Sequence, residues 1–147
     1  MIVYRIVDSK YKDDLSGDGA KLHGGRWNPK GKSVIYCSAH ISLSMLENMV
    51  YMSHDLIRIN YHLLHLTIPD DEVMEIDYEA LKPKWIQDID YTRWVGEQFL
   101  NQNGFALKVP SAIVKEEFNF MLNTEHSFFQ KVKIAKQRAF IFDDRLF

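Results

Sequence analysis

Short apolar segments bounded by polar or turn-forming residues recur along the whole chain, and this pattern is typical of β-strands. Strands are predicted at residues 2–7, 33–38, 57–68, 73–76, 105–109, 118–122 and 139–142. A weaker run at residues 131–134 precedes the last of these. Residues 8–32 are polar and hold five of the seven glycines, so this segment is predicted to be a loop.

Helical spacing is found in two segments. Leu43, Leu46 and Val50 recur at helical positions within residues 40–53. The second helix, residues 91–103, is capped by Asp90 and ended by Gly104, and its predicted apolar face comprises Trp94, Val95, Phe99 and Leu100. A briefer helical stretch follows Asp77, which is its predicted cap. Many short strands with two or three helices predict a single α+β domain, residues 1–147, with a mixed or mainly antiparallel sheet.

Composition and charge exclude several classes of protein. The 147 residues suffice for one core, and a hydrophobic content of 46% is ordinary for a globular chain. The net charge of −2 gives no basic footprint for nucleic acid. No apolar run is long enough to cross a bilayer and the N-terminus lacks a secretory pattern, so we expect a soluble, cytoplasmic protein without membrane contact. Cys37 is the single cysteine, which excludes an internal disulfide and favours a buried, inert thiol.

Glu47 is the first candidate for chemistry. It lies on the apolar stripe of its helix, three residues before Val50, although a carboxylate is almost never fully buried unless it is paired. Either a partner or a cleft is therefore required, or the residue completes a capping box with Ser44. Because the apolar spacing already begins at Leu43, the functional and the capping interpretations stay equally open.

The segment around Gly25 and Arg26 is the second candidate. Paired glycines let the backbone approach a ligand, and the neighbouring guanidinium can bind a phosphate or carboxylate through two hydrogen bonds. A turn with a solvated arginine explains the same pattern. Tyr36 and Ser111 are weak signals singly, and Asn119 shares one strand face with Asn123 as a wall of a cleft or an exposed surface.

Other polar residues are not assigned to a functional site. His62 and His65 are three residues apart, which on a strand places them on opposite faces, so no metal site is expected. The basic residues Lys131, Lys133, Lys136 and Arg138 are most simply a solvated face, with an acidic partner protein as the alternative.

A set of ordered motifs spans nearly the whole chain, from Tyr4 to Arg145. They are Tyr4-Arg5, Gly25-Arg26-Trp27-Asn28, Val34-Ile35-Tyr36-Cys37-Ser38, Leu43-Ser44-Met45-Leu46-Glu47, Val109-Pro110-Ser111, Asn119, Leu122-Asn123 and Phe142-Asp143-Asp144-Arg145. In order and spacing they resemble the RES-domain family, the toxins of bacterial toxin–antitoxin pairs. The Arg, Glu and Ser that name the family fall on Arg26, Glu47 and Ser111.

This resemblance implies an ADP-ribosyltransferase-like fold and cleavage of the nicotinamide–ribose bond of NAD⁺. The ADP-ribosyl group would pass to water, to phosphate or to a protein. The alternative that is not an enzyme is a catalytically silent module that binds the antitoxin. The expected partner is an Xre-type antitoxin. The oligomeric state is left open, with a homo-oligomer in that complex as one option, and neither a metal nor a cofactor beyond NAD⁺ as substrate is implied.

Roles for individual residues follow from the resemblance together with the chemistry of NAD⁺. Glu47, Arg26 and Tyr36 are the expected catalytic residues, with the carboxylate at the ribose, the guanidinium at the diphosphate or a ribose, and the ring against nicotinamide or ribose. The expected NAD⁺-binding residues are Arg5, Gly25, Arg26, Trp27, Tyr36, Ser111 and Asn119.

Overall fold

The computed structural model describes residues 1–52 and 59–147, and these residues contain one seven-stranded sheet. Its strands are β1 (Ile2–Asp8), β2 (Val34–Ser38), β3 (Tyr61–Thr67), β4 (Val73–Glu75), β5 (Ala106–Pro110), β6 (Phe118–Asn123) and β7 (Lys133–Phe140). They are ordered β4-β5-β6-β2-β1-β3-β7. β4 and β5 run parallel and the other neighbours antiparallel, so the predicted mixed, mainly antiparallel sheet is confirmed.

The described helices are α1 (Asp18–His23), α2 (Ile41–Met49) and α3 (Ile89–Asn101). Short 3-10 turns lie at Ser9–Tyr11, Tyr78–Ala80, Trp85–Gln87, Ser127–Lys131 and Asp144–Leu146. In the described residues no helix is long and apolar enough to cross a membrane. The prediction that residues 8–32 are entirely loop is wrong, because α1 lies within them. Its short polar sequence has no buried residue and therefore shows no apolar period.

Two other boundaries differ from the predictions for physical reasons. α3 is capped by Asp88, whose carboxylate accepts a hydrogen bond from the Tyr91 N–H, rather than by Asp90. Trp94 is 57% exposed, so its place on the predicted apolar face is wrong, and Thr92 and Gly96 are buried instead. β7 spans Lys133–Phe140, whereas the predicted strand was residues 139–142. Because β7 is an edge strand, it is rich in charged residues, and these hide the alternation of apolar and polar positions.

The predicted strand at residues 57–68 is observed from Tyr61, and positions 57 and 58 lie outside the described residues. α2 ends at Met49, before the predicted end at position 53, which also lies outside them. The cap at Asp77 is confirmed, since its carboxylate accepts from the Glu79 N–H.

A narrow junction divides the sheet into two halves. β1 and β2 are joined through one residue pair, Tyr4 with Ser38, whereas β1 pairs with β3 along its whole length. One half is thus β4-β5-β6-β2 and the other is β1-β3-β7. α2 follows β2 directly and packs against both β1 and β2, so it spans this junction.

Candidate functional site

Glu47 on α2 contacts the two strands β5 and β6 through hydrogen bonds. Its Oε1 atom accepts one from the Ser111 hydroxyl at 2.8 Å and a second from Asn119 Nδ2 at 2.7 Å. Ser111 directly follows the end of β5 and is fully buried, and Asn119 is the second residue of β6. The structure therefore brings together three of the residues that the sequence analysis selected.

The direction of the Ser111 hydrogen bond is fixed by its other contacts. Its Oγ accepts from the backbone N–H groups of Ile113 at 3.0 Å and Val114 at 3.1 Å. A hydroxyl offers two lone pairs and one proton, so the proton is left for Glu47. Ser111 thus acts on Glu47 as a hydrogen-bond donor.

Asn119 is oriented in the same way from its other side. The buried Ser38 hydroxyl donates to Asn119 Oδ1 at 2.7 Å, which leaves the Asn119 amide nitrogen directed at Glu47. Both donors reach Oε1, and within residues 1–52 and 59–147 no hydrogen bond is made to Oε2. One oxygen of the carboxylate is therefore held by the protein, while the other makes no hydrogen bond to the described residues.

The capping-box interpretation of Glu47 is wrong. The N-cap of α2 is His40, and Ser44 lies buried inside the helix. Its Oγ accepts from the Ile6 N–H of β1 at 3.1 Å, close to the junction where β1 separates from β2. Ser44 therefore attaches α2 to β1, which sets the position of Glu47 one helical turn further on.

Tyr36 is hydrogen-bonded to residues 24–28, which contain Gly24, Gly25 and Arg26 and are called the glycine segment below. Its hydroxyl donates to Asn28 Oδ1 at 2.6 Å and accepts from the Trp27 N–H at 3.0 Å. A Cβ atom at Gly25 would lie 2.7 Å from the Tyr36 ring, so only glycine permits this close approach. Burial raises the pKa of the Tyr36 phenol far above its usual value, which keeps the hydroxyl protonated as a donor.

The same strand carries both parts of the site. Tyr36 and Ser38 lie two residues apart on β2, so their side chains share one face about 7 Å apart. Ser38 is hydrogen-bonded to Asn119, which is hydrogen-bonded to Glu47. Tyr36 is hydrogen-bonded to Asn28 of the glycine segment. The carboxylate and the glycine segment are therefore neighbouring parts of one face.

α3 holds the glycine segment from its other side, and the sequence analysis missed this. Thr92 Oγ1 donates to the Arg26 carbonyl at 2.6 Å, and Arg93 Nε donates to the Gly25 carbonyl at 2.8 Å. A Cβ at Gly96 would lie 1.6 Å from the Trp27 carbonyl oxygen, so α3 rests directly on this backbone. The isolated glycine in the middle of a predicted helix was the available signal for such packing.

Arg26 and Trp27 have side-chain contacts away from the hydrogen bonds of Glu47. Arg26 Nη1 donates to the Ile86 carbonyl at 2.9 Å, and its side chain makes no hydrogen bond to Glu47 or Tyr36 in the described part of the chain. The Trp27 ring is 2% exposed and packs against Trp85, with ring centroids 5.5 Å apart. The structure thus places the Trp27 ring in the core, and the predicted contacts of both residues with NAD⁺ stay predictions.

Arg5 lies at the junction between the two halves of the sheet. Its Nη1 donates weakly to the Tyr36 carbonyl at 3.4 Å, and its Nε is buried without a hydrogen-bond partner among the described residues. Burial lowers the pKa of the Arg5 guanidinium, although Cys37 and Asp14 oppose this effect. Strand alternation puts Arg5 on the opposite face of β1 from Ile6, which belongs to the hydrophobic cluster that Ile41 and Met45 of α2 pack against. Its role in NAD⁺ binding also stays a prediction.

The histidines and the cysteine that were not assigned to a functional site have structural roles. His62 Nδ1 is hydrogen-bonded to Ser9 Oγ at 2.6 Å, and the His65 ring packs edge-on against Tyr4. Cys37 is 3% exposed, and burial raises the pKa of its thiol to about 12, which confirms a buried, unreactive thiol. In the part of the chain that is described, no three His, Cys, Asp or Glu side chains are placed to hold a metal ion.

Comparison of the fold with solved structures agrees with this architecture. The toxin–antitoxin complex MbcT–MbcA of M. tuberculosis contains a chain that matches with a TM-score of 0.80 at 19% identity, over 95% of this chain and 84% of that one. The expected single-domain, ADP-ribosyltransferase-like α+β fold is confirmed.

Sequence comparison identifies the family. A "Toxin Res" of Photorhabdus laumondii subsp. laumondii is 35% identical over 99% of this chain and 97% of its own length. A "Prs ADP-ribosylating toxin" of Sphingobium sp. is 30% identical over 91% of this chain and 87% of its own length. Residues 2–143 match the RES domain. The chain therefore belongs to the RES-domain family.

Proposed function

We propose that this protein is the toxin of a bacterial toxin–antitoxin pair and that it cleaves the nicotinamide–ribose bond of NAD⁺. The observation that carries the proposal is the Glu47 carboxylate, whose Oε1 is held by Ser111 and Asn119 and whose Oε2 is not hydrogen-bonded to any described residue. Relatives named as Res toxins and one named as an ADP-ribosylating toxin support it.

The chemistry requires stabilisation of positive charge more than proton transfer. When the bond between C1′ of the ribose and the nicotinamide nitrogen breaks, both electrons leave with nicotinamide, which departs neutral. The ribose then resembles an oxocarbenium ion, for which a fixed carboxylate is the fitting partner. Glu47 Oε2 would bind a ribose hydroxyl or face the developing charge, and the acceptor would then bond to C1′.

The remaining residues would bind and orient NAD⁺. Because the Tyr36 hydroxyl is engaged with Trp27 and Asn28, its contribution would come from the ring, against nicotinamide or ribose. Arg26 would bind the diphosphate or a ribose through the guanidinium N–H groups that Ile86 does not use. Ser111 and Asn119 would act through Glu47, to which both donate, and their direct contact with NAD⁺ stays a prediction.

The acceptor decides between two related activities. Transfer to water or phosphate would deplete NAD⁺, whereas transfer to a protein would make the chain a protein-modifying ADP-ribosyltransferase. The relative named as an ADP-ribosylating toxin favours keeping the second candidate. In either case the expected partner is an Xre-type antitoxin in the cytoplasm, and NAD⁺ serves as substrate without a resident cofactor.

The proposal is tested by incubating purified protein with NAD⁺ and following nicotinamide by chromatography. Separate reactions contain no additive, inorganic phosphate, or cell lysate with adenylate-labelled NAD⁺. Nicotinamide with free ADP-ribose or its phosphate supports NAD⁺ depletion, and label on a protein supports transfer. Absence of nicotinamide in every reaction with folded protein would contradict the proposal.

The silent-module alternative is tested in cells. Expression of the chain without an antitoxin is expected to arrest growth, and the substitution Glu47→Ala is expected to relieve the arrest. Arrest that is equally strong with Glu47→Ala would indicate that any toxicity is independent of this carboxylate.

A further inference from the structure

Arg93 is the second guanidinium at the glycine segment. It lies in the first half of α3, and its Nε donates to the Gly25 carbonyl at 2.8 Å. A Cβ at Gly24 would lie 3.0 Å from Arg93 Nη2, so the flat guanidinium lies directly against the backbone of Gly24. Gly24 also has a φ of +73°, a conformation that favours glycine, and the missing side chain leaves Arg93 uncovered.

Most hydrogen-bonding capacity of Arg93 is unused. An arginine has five N–H donors, and the four on Nη1 and Nη2 donate to none of the described residues. No carboxylate in residues 1–52 or 59–147 lies within ion-pair distance of it. Arg93 is half-buried, and its Nη atoms are not among the buried side-chain atoms that lack a partner in these residues. Arg93 is thus an anchored cation with an open donor edge.

The position of Arg93 relates it to the reaction. Its guanidinium is near enough to Tyr36 to act electrostatically on the phenol, against the effect of burial. Tyr36 shares one face of β2 with Ser38, which is linked through Asn119 to the Glu47 carboxylate on α2. In NAD⁺ one ribose separates the diphosphate from the scissile bond, so the diphosphate site is expected about one ribose away from Glu47.

We propose that Arg93 binds the diphosphate of NAD⁺ through its free Nη groups, a role that rests on the proposed function. Its Nε bond to Gly25 fixes the plane of the guanidinium, which lowers the entropic cost of a two-point hydrogen bond to phosphate oxygens. Arg26, whose carbonyl is bonded to the same helix through Thr92, would supply a second cation beside it.

The test measures binding of ADP-ribose, which keeps the diphosphate, by calorimetry. Arg93→Ala is expected to weaken binding about tenfold to a hundredfold, as for loss of charged hydrogen bonds. Arg93→Gln keeps an N–H donor for Gly25 without the charge, so it is expected to bind as weakly as Arg93→Ala. Arg93→Lys keeps the charge without the fork and is expected to lie between Arg93→Ala and wild type. Arg138→Ala on the edge strand β7 is the matched control and is expected to bind normally.

Kinetics separate substrate binding from a purely structural role. Arg93→Gln is expected to raise KM for NAD⁺ much more than it lowers kcat, with the same thermal unfolding as wild type. Wild-type affinity for ADP-ribose in Arg93→Gln or in Arg93→Ala would overturn the assignment. If wild type binds ADP-ribose through Arg93 but releases no nicotinamide, the Arg93 assignment holds and the cleavage proposal fails.

Discussion

Ser111 and Glu47 are 64 residues apart in the chain, yet the Ser111 hydroxyl donates to Glu47 Oε1 at 2.8 Å. The bond can run in one direction only, because the Ile113 and Val114 N–H groups occupy the lone pairs of the hydroxyl. Asn119 donates to the same oxygen. The consequence is an asymmetric carboxylate whose second oxygen is oriented by the protein but makes no bond to its described residues.

Ser44 is expected to maintain the position of Glu47 by tying α2 to β1. The substitution Ser44→Ala leaves the Ile6 N–H buried without a partner, which costs about 1–3 kcal/mol of unfolding free energy. Urea unfolding measures this loss. Ser42→Ala, at an exposed position of the same helix, is the control and is expected to change stability by less than about 0.5 kcal/mol. Equal unfolding free energies of the two variants would contradict a stabilising role for the Ser44–Ile6 hydrogen bond.

Tyr36→Phe separates the ring from the hydroxyl. Loss of the hydroxyl removes the partner of the Trp27 N–H and of Asn28 Oδ1, so the glycine segment is expected to loosen while the ring still packs. We expect kcat for NAD⁺ cleavage to be largely kept and KM to rise several-fold. Steady-state kinetics check this against Tyr11→Phe, whose ring is 54% exposed. A collapse of kcat with unchanged KM would instead assign the hydroxyl to the chemical step.

Gly96 is expected to be intolerant of any side chain. The Cβ of Gly96→Ala would lie 1.6 Å from the Trp27 carbonyl oxygen, so α3 must move away from the glycine segment. Overpacking of this kind costs about 1–3 kcal/mol or more. The control is Gly19→Ala in α1, where a Cβ meets no atom within 4 Å and the variant is expected to be neutral or slightly more stable. Denaturant unfolding of both variants would show whether the two glycines differ.

Asp88 is expected to make the stability of α3 depend on pH. Hydrogen bonds from the Lys82 ammonium and then from the Tyr91 N–H lower the pKa of the Asp88 carboxyl. A lowered folded-state pKa means that the stabilisation is complete above the unfolded pKa of about 4 and is lost as pH falls through the folded value.

The variant Asp88→Asn keeps a capping side chain but not the charge. Its difference in unfolding temperature from wild type is expected to be small near neutral pH, to shrink with added salt, and to vanish at low pH. A difference that grows as pH falls would have the wrong sign for this account.

Local sequence patterns were sufficient to predict most of the sheet, because alternation reports directly which strand face is buried. Glu47 was detectable for the same reason, as a carboxylate on an apolar stripe. Its pairing with Ser111 and Asn119 was not, since they lie 64 and 72 positions away. Locally both were weak signals, and the family resemblance selected them as site residues. Thr92 and Arg93 were missed because their contacts are with backbone carbonyls, which no side-chain pattern records.

The most direct test of the account is nicotinamide release by Glu47→Gln. The glutamine carbonyl can accept the hydrogen bonds of Ser111 and Asn119 as Oε1 does, so its amide nitrogen replaces the free oxygen and the fold should be preserved. The account predicts unchanged thermal unfolding and a loss of turnover of at least about a hundredfold, comparable with removing one preorganised electrostatic group. Wild-type turnover of NAD⁺ by folded Glu47→Gln would contradict the central role of this carboxylate.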